Sequence, residues 1–189
     1  MIKEALKLNL GARTTIIPGF KNVDKDQHNG TVDIVSDVSK LDVKSNTVEE
    51  IYASHILEHF PHIQTKEVLA EWYRVLQPGG ELKVAVPDFE MTTRVIYHNG
   101  GLNDWAVNYL WGDQVYDSAF HYAGFDEKRL TKLLEDVGFV GVDRVESFGL
   151  VEGDCSNLGF DSPDGRVSVS LNMTAFKPSK DIQNNIDAI

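Results

Sequence analysis

Cysteine is almost absent from this sequence, and its scarcity excludes two kinds of structure. Cys155 is the single cysteine among 189 residues. One thiol cannot form an internal disulfide framework or a metal site built from several cysteines. Because it lies in the acidic stretch EGDCSN (152–157), where negative charge raises a thiol pKa, we expect no nucleophilic role for it.

Long apolar runs are missing as well. No run approaches the roughly 18 residues that a membrane helix needs. The first residues, MIKEALKLNLGAR, contain no long apolar stretch followed by a small-residue cleavage site, so we expect no signal peptide. Together with the single cysteine, these features predict a cytoplasmic protein.

Basic residues are in deficit. Lysine and arginine number 18 against 29 acids, which gives a net charge of −11, and they form no cluster along the chain. Nucleic acid binding relies on basic patches that release counterions from phosphate. The composition therefore predicts no nucleic acid and no membrane insertion, and favours a small-molecule partner. The length suits one domain.

The pattern that is present is an alternation of short apolar runs with helical periodicity. Strands are predicted at 6–10 (LKLNL), 20–23 (FKNV), 32–35 (VDIV), 48–53 (VEEIYA) and 82–86 (LKVAV). A helix over 66–76 carries an apolar stripe and is predicted to stop at Pro78-Gly79-Gly80. Strands alternating with helices predict an α/β fold with a mostly parallel sheet. The first two crossovers are too short for helices, so we expect loops or single turns there.

In the second half of the sequence, strand and helix patterns alternate less regularly. We predict a helix over 88–97 capped by Asp88 and another between Asp126 and Gly138. Two last strands, the second of them antiparallel, and a polar tail should follow. These are the predicted boundaries: one domain over 1–176, an aromatic insertion packed over the sheet at 98–124, strands at 140–146 and 166–176, a connection at 149–165 and the tail at 177–189.

Four stretches of the sequence carry a family resemblance: LNLGARTTIIPGFKNVD, DIVSDVSKLD, VEEIYASHILEHF and EVLAEWYRVLQPGGELKVAVPD. They resemble the small class I S-adenosylmethionine-dependent methyltransferases, in particular the compact type 11-like subgroup. The resemblance spans about residues 6–176 and implies a Rossmann-like sandwich, S-adenosyl-L-methionine as cofactor and methyl transfer as activity. It does not indicate the acceptor.

The resemblance also implies which residues bind the cofactor. Asp24, at the end of the second strand, would accept bonds from the ribose hydroxyls; its alternative reading is a turn residue. Asp37 and the backbone N–H of Val38 would meet the adenine, and here the alternative is a helix or turn cap. The full predicted set is Asn9, Gly11, Ala12, Arg13, Asp24, Asp37, Val38, Ser54 and His55.

The turn after the first strand departs from the family. Members carry two or three glycines there, whereas this chain has Gly11-Ala12-Arg13. The guanidinium of Arg13 would either enter the site and pair with the methionyl carboxylate or point into solvent. This departure keeps a second interpretation open, a degenerate cofactor-binding or interaction domain without catalysis. A nicotinamide dehydrogenase is disfavoured because GxGxxG is missing.

Histidines cluster after the fourth strand. His55 is the candidate catalytic residue, since a neutral imidazole can act as a general base; it could equally orient the loop. The stretch HILEHFPH (55–62) resembles the zinc motif HExxH only superficially, because Glu58 directly precedes His59 and Pro61 ends the helix that we expect to open here. We therefore predict no metal site.

Aromatic residues suggest the acceptor pocket. Trp111, His121 and Tyr122 precede the late helix that borders the site in the resembled family. They would offer stacking surface and polar tips to an uncharged ring, although core packing is the alternative for aromatics in this segment. The prediction is a small-molecule, sugar or lipid-linked acceptor.

Overall fold

The computed structural model describes residues 5–151, 153–162 and 165–181. In this part of the chain seven strands form one sheet: β1 (Leu6–Leu10), β2 (Lys21–Asp24), β3 (Ile34–Val35), β4 (Val48–Ser54), β5 (Leu76–Pro87), β6 (Val140–Val145) and β9 (Ser170–Phe176). Their order in the sheet is β3-β2-β1-β4-β5-β9-β6. Strands β1 to β5 run parallel, whereas β9 is antiparallel to both β5 and β6. The predicted α/β fold with a mostly parallel sheet and a last antiparallel strand is confirmed.

Four α-helices accompany the sheet in the described residues: α1 (Thr65–Val75), α2 (Phe89–His98), α3 (Asp104–Trp111) and α4 (Glu127–Val137). The predicted caps are present, since Asp88 accepts from Met91 N, Asp126 accepts from Arg129 N, and Gly138 ends α4 in the left-handed conformation. On α1 the buried stripe includes Trp72, whose indole N–H donates to Val38 O at 2.9 Å. None of the helices in these residues has the length and apolar character needed to cross a bilayer.

The first two crossovers contain no α-helix, as predicted. Residues 11–20 form a loop, and between β2 and β3 there is a single 3-10 turn, His28–Gly30. The buried side-chain amides of Asn9 and Asn22 hydrogen-bond to the backbone of both loops. Asn9 donates to Thr15 O and to Asn22 Oδ1, each at 3.0 Å, and Asn22 donates to Thr15 O and Thr31 O. These hydrogen bonds stabilise the two loops, which lack the packing that helices supply in folds with longer crossovers.

The Pro78-Gly79-Gly80 stretch does not separate a helix from a later strand, and that prediction is corrected. Helix α1 ends at Val75, and β5 begins at the next residue, six residues before the predicted start. Gly79 has φ +82°, which lets the chain turn inside the strand. The segment is then held by Gly79 N to Lys177 O and by Lys177 N to Gly80 O, both at 2.9 Å.

The predicted strand over 166–176 is in fact two strands. Its first part, β8 (Gly165–Ser168), pairs with β7 (Gly159–Ser162) in a separate hairpin, and only β9 joins the main sheet. The break falls at Val169, whose N–H donates to Leu158 O outside the main sheet. The predicted tail lies outside the described residues from 182 onward, while Lys177 is anchored by Nζ bonds to Tyr73 O and Leu76 O.

The aromatic insertion over 98–124 lies at the carboxyl edge of β4 and β5. It contains α3 and a 3-10 turn, Asp117–Ala119. Tyr122 N donates to Glu58 O just beyond β4, and the hydroxyl of Tyr109 donates to Val169 O beside the end of β5. The segment is therefore placed where ligands of parallel sheets bind.

Candidate functional site

The strand order places a topological switch point at the carboxyl ends of β1 and β4. From β1 the chain continues to β2 and β3 on one side, and it then returns to form β4 on the other side of β1. Open α/β sheets bind ligands at such a reversal, because the connections diverge there and leave a gap. The predicted residues Gly11, Asp24, Ser54 and His55 all lie at this edge.

The turn after β1 is tight and depends on a glycine at its first position. Gly11 has φ +65°, and its N–H and that of Ala12 donate to Val23 O at 2.9 and 3.3 Å. A Cβ on Gly11 would approach Ile56 Cδ1 to 2.8 Å, so glycine is required by conformation and by contact. Ala12 is buried, and its methyl group is accommodated.

Arg13 adopts the left-handed conformation that glycine would occupy in the family, with φ +47°. Its side chain is exposed, donates to Tyr116 Oη at 2.9 Å and lies over that ring. The guanidinium therefore spans from the β1 turn to the aromatic insertion. The exposed side chain agrees with the outward alternative, except that the guanidinium bonds Tyr116 and is not a fully solvated charge.

Asp24 ends β2 and is buried beside the turn, with 7% of its surface exposed. Its Oδ2 accepts Arg13 N at 3.0 Å, and its Oδ1 accepts Asp26 N at 3.2 Å and faces His28 Nε2 at 3.1 Å. Three of the roughly four lone-pair directions of the carboxylate are thus in use. His28 was missed by the sequence analysis; its position four residues after Asp24 was the available signal.

The side-chain amide of Asn9, a predicted cofactor residue, donates to Thr15 O and to Asn22 Oδ1. Asp37 is exposed beyond β3, and its Oδ1 accepts both the N–H and the hydroxyl of Ser39, at 2.8 and 2.7 Å. This is the turn-cap geometry that the sequence analysis gave as the alternative. Val38 is buried next to it.

Ser54 and His55 follow directly at the end of β4. The hydroxyl of Ser54 is buried and makes no hydrogen bond of good geometry with the described residues. His55 has φ +50°; its Nε2 lies 3.0 Å from Ser170 Oγ, and its Nδ1 lies 3.3 Å from Glu58 Oε1. The hydroxyl of Ser170 also donates to Asn172 Oδ1 at 3.1 Å. Both ring nitrogens of His55 therefore face polar side chains, the Ser170 hydroxyl and the Glu58 carboxylate.

The helix expected to open at 56–59 is only a 3-10 turn, Leu57–His59, because Phe60 returns to an extended conformation ahead of Pro61. This turn buries Glu58 completely. Burial raises the pKa of Glu58, but the facing imidazole of His55 and the charges of His55, His59 and His121 outweigh it, and the pKa lies below its ordinary value.

His121 reaches the same place from the aromatic insertion. Its ring meets that of His59 edge to face, with centroids 4.7 Å apart. Burial lowers the pKa of His121, and the charge of Glu58 opposes this only in part. His121 is a predicted acceptor residue, but its contact with Glu58 has no local sequence signal, because 62 residues separate the two.

The other two predicted acceptor residues are accessible. Trp111 at the end of α3 and Tyr122 expose 44% and 52% of their surface, and the ring of Tyr122 stacks on Phe120. The structure brings Trp111 and His121 together through the backbone, where His121 N donates to Trp111 O at 3.0 Å.

Two surface clefts lie away from the β1 turn. One, of about 550 Å³, is lined by residues of β6, β8 and the 157–159 segment and reaches Ser170. The other, of about 680 Å³, follows the exposed side of α4. Neither contains Gly11, Asp24 or Asp37, so the predicted cofactor residues form an open edge and not part of either cleft.

Residues 11–84 match the model of a family described as Methyltransferase domain. This segment contains the β1 turn, Asp24, Asp37 and the end of β4. No curated protein matches the chain in sequence.

Solved structures of methyltransferases superpose on the whole fold. An S-adenosylmethionine-dependent methyltransferase from Methanosarcina mazei gives a TM-score of 0.60 at 16% identity, covering 95% of each chain. Phosphoethanolamine N-methyltransferase 2 from Haemonchus contortus, in complex with S-adenosyl-L-methionine, gives 0.60 at 14% identity over 95% of this chain and 50% of its own. This chain has a class I methyltransferase fold.

A third structure with this methyltransferase fold is the complex between the Haloferax volcanii Trm112 methyltransferase activator and a methyltransferase. It gives a TM-score of 0.58 at 14% identity, covering 93% of this chain and 84% of that one. The family resemblance predicted from the sequence is thereby confirmed at the level of the methyltransferase fold, which the match over residues 11–84 supports independently.

Proposed function

We propose that this protein transfers a methyl group from S-adenosylmethionine to a small-molecule, sugar or lipid-linked acceptor. The observation that carries the proposal is the pairing of the Gly11 turn with the buried Asp24 carboxylate at the carboxyl edge of a methyltransferase-like sheet. A close-approach turn beside a fixed acid is what a nucleoside with a ribose diol requires.

The residues at this edge fit the cofactor. Gly11 lets the chain turn closely after β1 with φ +65°, and Asp24 keeps one lone pair on Oδ2. Binding both ribose hydroxyls would displace His28 from Oδ1. The buried hydroxyl of Ser54, which has no partner of good geometry among the described residues, is a polar group ready for a ligand atom.

Methyl transfer depends more on the alignment of cofactor and acceptor than on proton transfer. When bound, S-adenosylmethionine supplies an electrophilic methyl group on a sulfonium. The chain's task is then to hold the acceptor in line and to exclude water. His55 suits a positioning role here, since its two nitrogens contact Ser170 and Glu58 and fix the β4 end against β9.

The acceptor side of the site is the aromatic insertion. Trp111 and Tyr122 present accessible aromatic surface, and His121 lies half-buried beside Glu58. With a net charge of −11, the protein would repel a phosphate backbone, which supports an acceptor other than nucleic acid.

Calorimetry with S-adenosylmethionine and with S-adenosylhomocysteine tests the first half of the proposal. We expect both to bind. Absence of heat and of any thermal shift at millimolar ligand would leave the non-catalytic interpretation that the Ala12-Arg13 turn suggests.

Transfer of labelled methyl groups tests the second half. A small-molecule extract and a nucleic acid extract are incubated separately with the protein and labelled cofactor. We expect label in the small-molecule fraction; label confined to nucleic acid would contradict the acceptor class.

A further inference from the structure

Three metal-ligating side chains converge at the carboxyl edge from two distant segments. Glu58 and His59 belong to the turn after β4, and His121 comes from the aromatic insertion. One carboxylate oxygen and one nitrogen of each histidine all lie within 4.8 Å of one another. The main chain fixes this arrangement, because Tyr122 N and Ala123 N donate to Glu58 O at 2.8 and 3.2 Å.

Backbone carbonyl groups fix the position of the ring hydrogen in both histidines. His59 Nδ1 lies 3.0 Å from Phe120 O, and His121 Nδ1 lies 3.1 Å from Tyr109 O. A carbonyl oxygen only accepts, so each Nδ1 carries the hydrogen and each Nε2 keeps its lone pair. Metal-binding histidines are commonly oriented in this way by a carbonyl on the other nitrogen.

Glu58 supplies the second, independent observation. Its side chain is fully buried, yet neither carboxylate oxygen has a hydrogen-bond partner of good geometry among the described residues. The titratable groups that face it are the imidazoles of His55, His59 and His121. A buried carboxylate without hydrogen bonds is costly unless a positive charge compensates it.

We propose that Glu58, His59 and His121 bind one divalent transition-metal ion, with Zn²⁺ as the representative. Two imidazoles and one carboxylate are a donor set that such ions accept, with further positions left for water or a substrate atom. Both histidines are partly exposed, which gives the ion access. His55, 3.3 Å from Glu58 Oε1, orients the carboxylate from behind.

The competing explanation is a metal-free imidazole cluster in which a protonated histidine balances Glu58. The two differ in one measurable property, stoichiometric metal binding that depends on all three side chains. Chelator-treated protein is titrated with Co²⁺, read by visible d–d absorption, and Zn²⁺ is then added in competition. We expect one equivalent of Co²⁺ to bind, Zn²⁺ to displace it, and Zn²⁺ to raise the melting temperature.

Variants locate the ion. Glu58→Gln and His121→Gln should each weaken Zn²⁺ binding by more than about 100-fold, since loss of a ligand exceeds the 10–100-fold effect of an orienting partner. Two matched controls should bind as the parent does. His62→Gln removes an exposed histidine from the same stretch, and Asp26→Asn removes an acid from the second group of possible ligands, Asp24, Asp26 and His28.

Absence of Co²⁺ binding by the parent would overturn the proposal. Binding that is lost in Asp26→Asn and kept in Glu58→Gln would also overturn it, by placing the ion near Asp24. Far-UV circular dichroism checks each variant's fold, and if Glu58→Gln does not fold, His59→Gln and His121→Gln decide. The titrations contain no S-adenosylmethionine, so their failure is separate from a failure of the cofactor proposal.

Discussion

Substitution of Asp24 is the sharpest test of the proposed cofactor edge, because this carboxylate has one role in the structure and a second role in the proposed function. It accepts Arg13 N and Asp26 N within the loops, and it is the proposed ribose acceptor. Asp24→Ala should therefore lower both the stability and the affinity for S-adenosylmethionine. The sequence alone predicts only the second effect, since it places Asp24 at a strand end facing a cleft.

The size of the stability effect follows from those two bonds. A hydrogen bond to a charged group contributes about 1.5–3 kcal/mol. Arg13 and Asp26 are exposed residues, so water partly replaces the carboxylate at their amides. We expect Asp24→Ala to lower the free energy of unfolding by about 2 kcal/mol in total, measured by urea denaturation.

The affinity effect is measured by calorimetry on the folded variant. Ligand hydroxyls left without an acceptor should weaken binding by about 1–3 kcal/mol, or about 5- to 150-fold. Asp26→Ala is the matched control, an exposed acid two residues away, and should change stability by less than about 0.5 kcal/mol. Unchanged affinity in Asp24→Ala, with the parent binding normally, would refute the ribose assignment.

Three further predictions concern the turn and the sheet. Gly11→Ala should lower the free energy of unfolding by at least about 1–2 kcal/mol, because Gly11 has a left-handed φ. The added Cβ would also press on Ile56, so a second substitution, Ile56→Ala, should relieve that contact, as a double-mutant cycle measured by urea denaturation would show. Arg13→Gly should change the free energy of unfolding by less than about 1 kcal/mol. It should also leave the affinity for the cofactor unchanged in calorimetry, because the guanidinium of Arg13 contacts Tyr116; a large loss of affinity would place the arginine in the site. Burial raises the pKa of Glu50, but Lys7 and Lys83 outweigh it and lower the pKa below 4.5. Its contribution to stability is therefore present above the ordinary pKa of a glutamate and is lost as the pH falls through the lowered folded pKa. Glu50→Gln should make the urea denaturation midpoint depend less on pH over that range.

Local signals predicted most of the regular structure. The caps at Asp88 and Asp126 and the end at Gly138 are chemical features of a few neighbouring residues, and each was found where it was expected. The absence of early crossover helices follows from the length of the connections and needs no tertiary information.

The secondary-structure predictions were wrong where pairing with a strand that is distant in sequence determines the local conformation. Pro78-Gly79-Gly80 looks like a helix end followed by a loop, but pairing with Lys177 extends β5 through it. The run over 166–176 looks like one strand, but it is divided because its first part has a partner in β7 and its second part in β5 and β6. Neither partner can be read from the local sequence.

In the candidate site, too, some features follow from local sequence and others from tertiary contacts. By itself, the sequence determined the elements of the cofactor edge, Gly11 after one strand and Asp24 after the next, because turn chemistry and strand ends are local. Only the tertiary structure decided that Arg13 points to Tyr116, that His28 shares Asp24, and that His121 meets Glu58 and His59. These contacts depend on how the connections fold back over the carboxyl edge of the sheet, and backbone bonds such as Tyr122 N to Glu58 O fix them once the strands are in order.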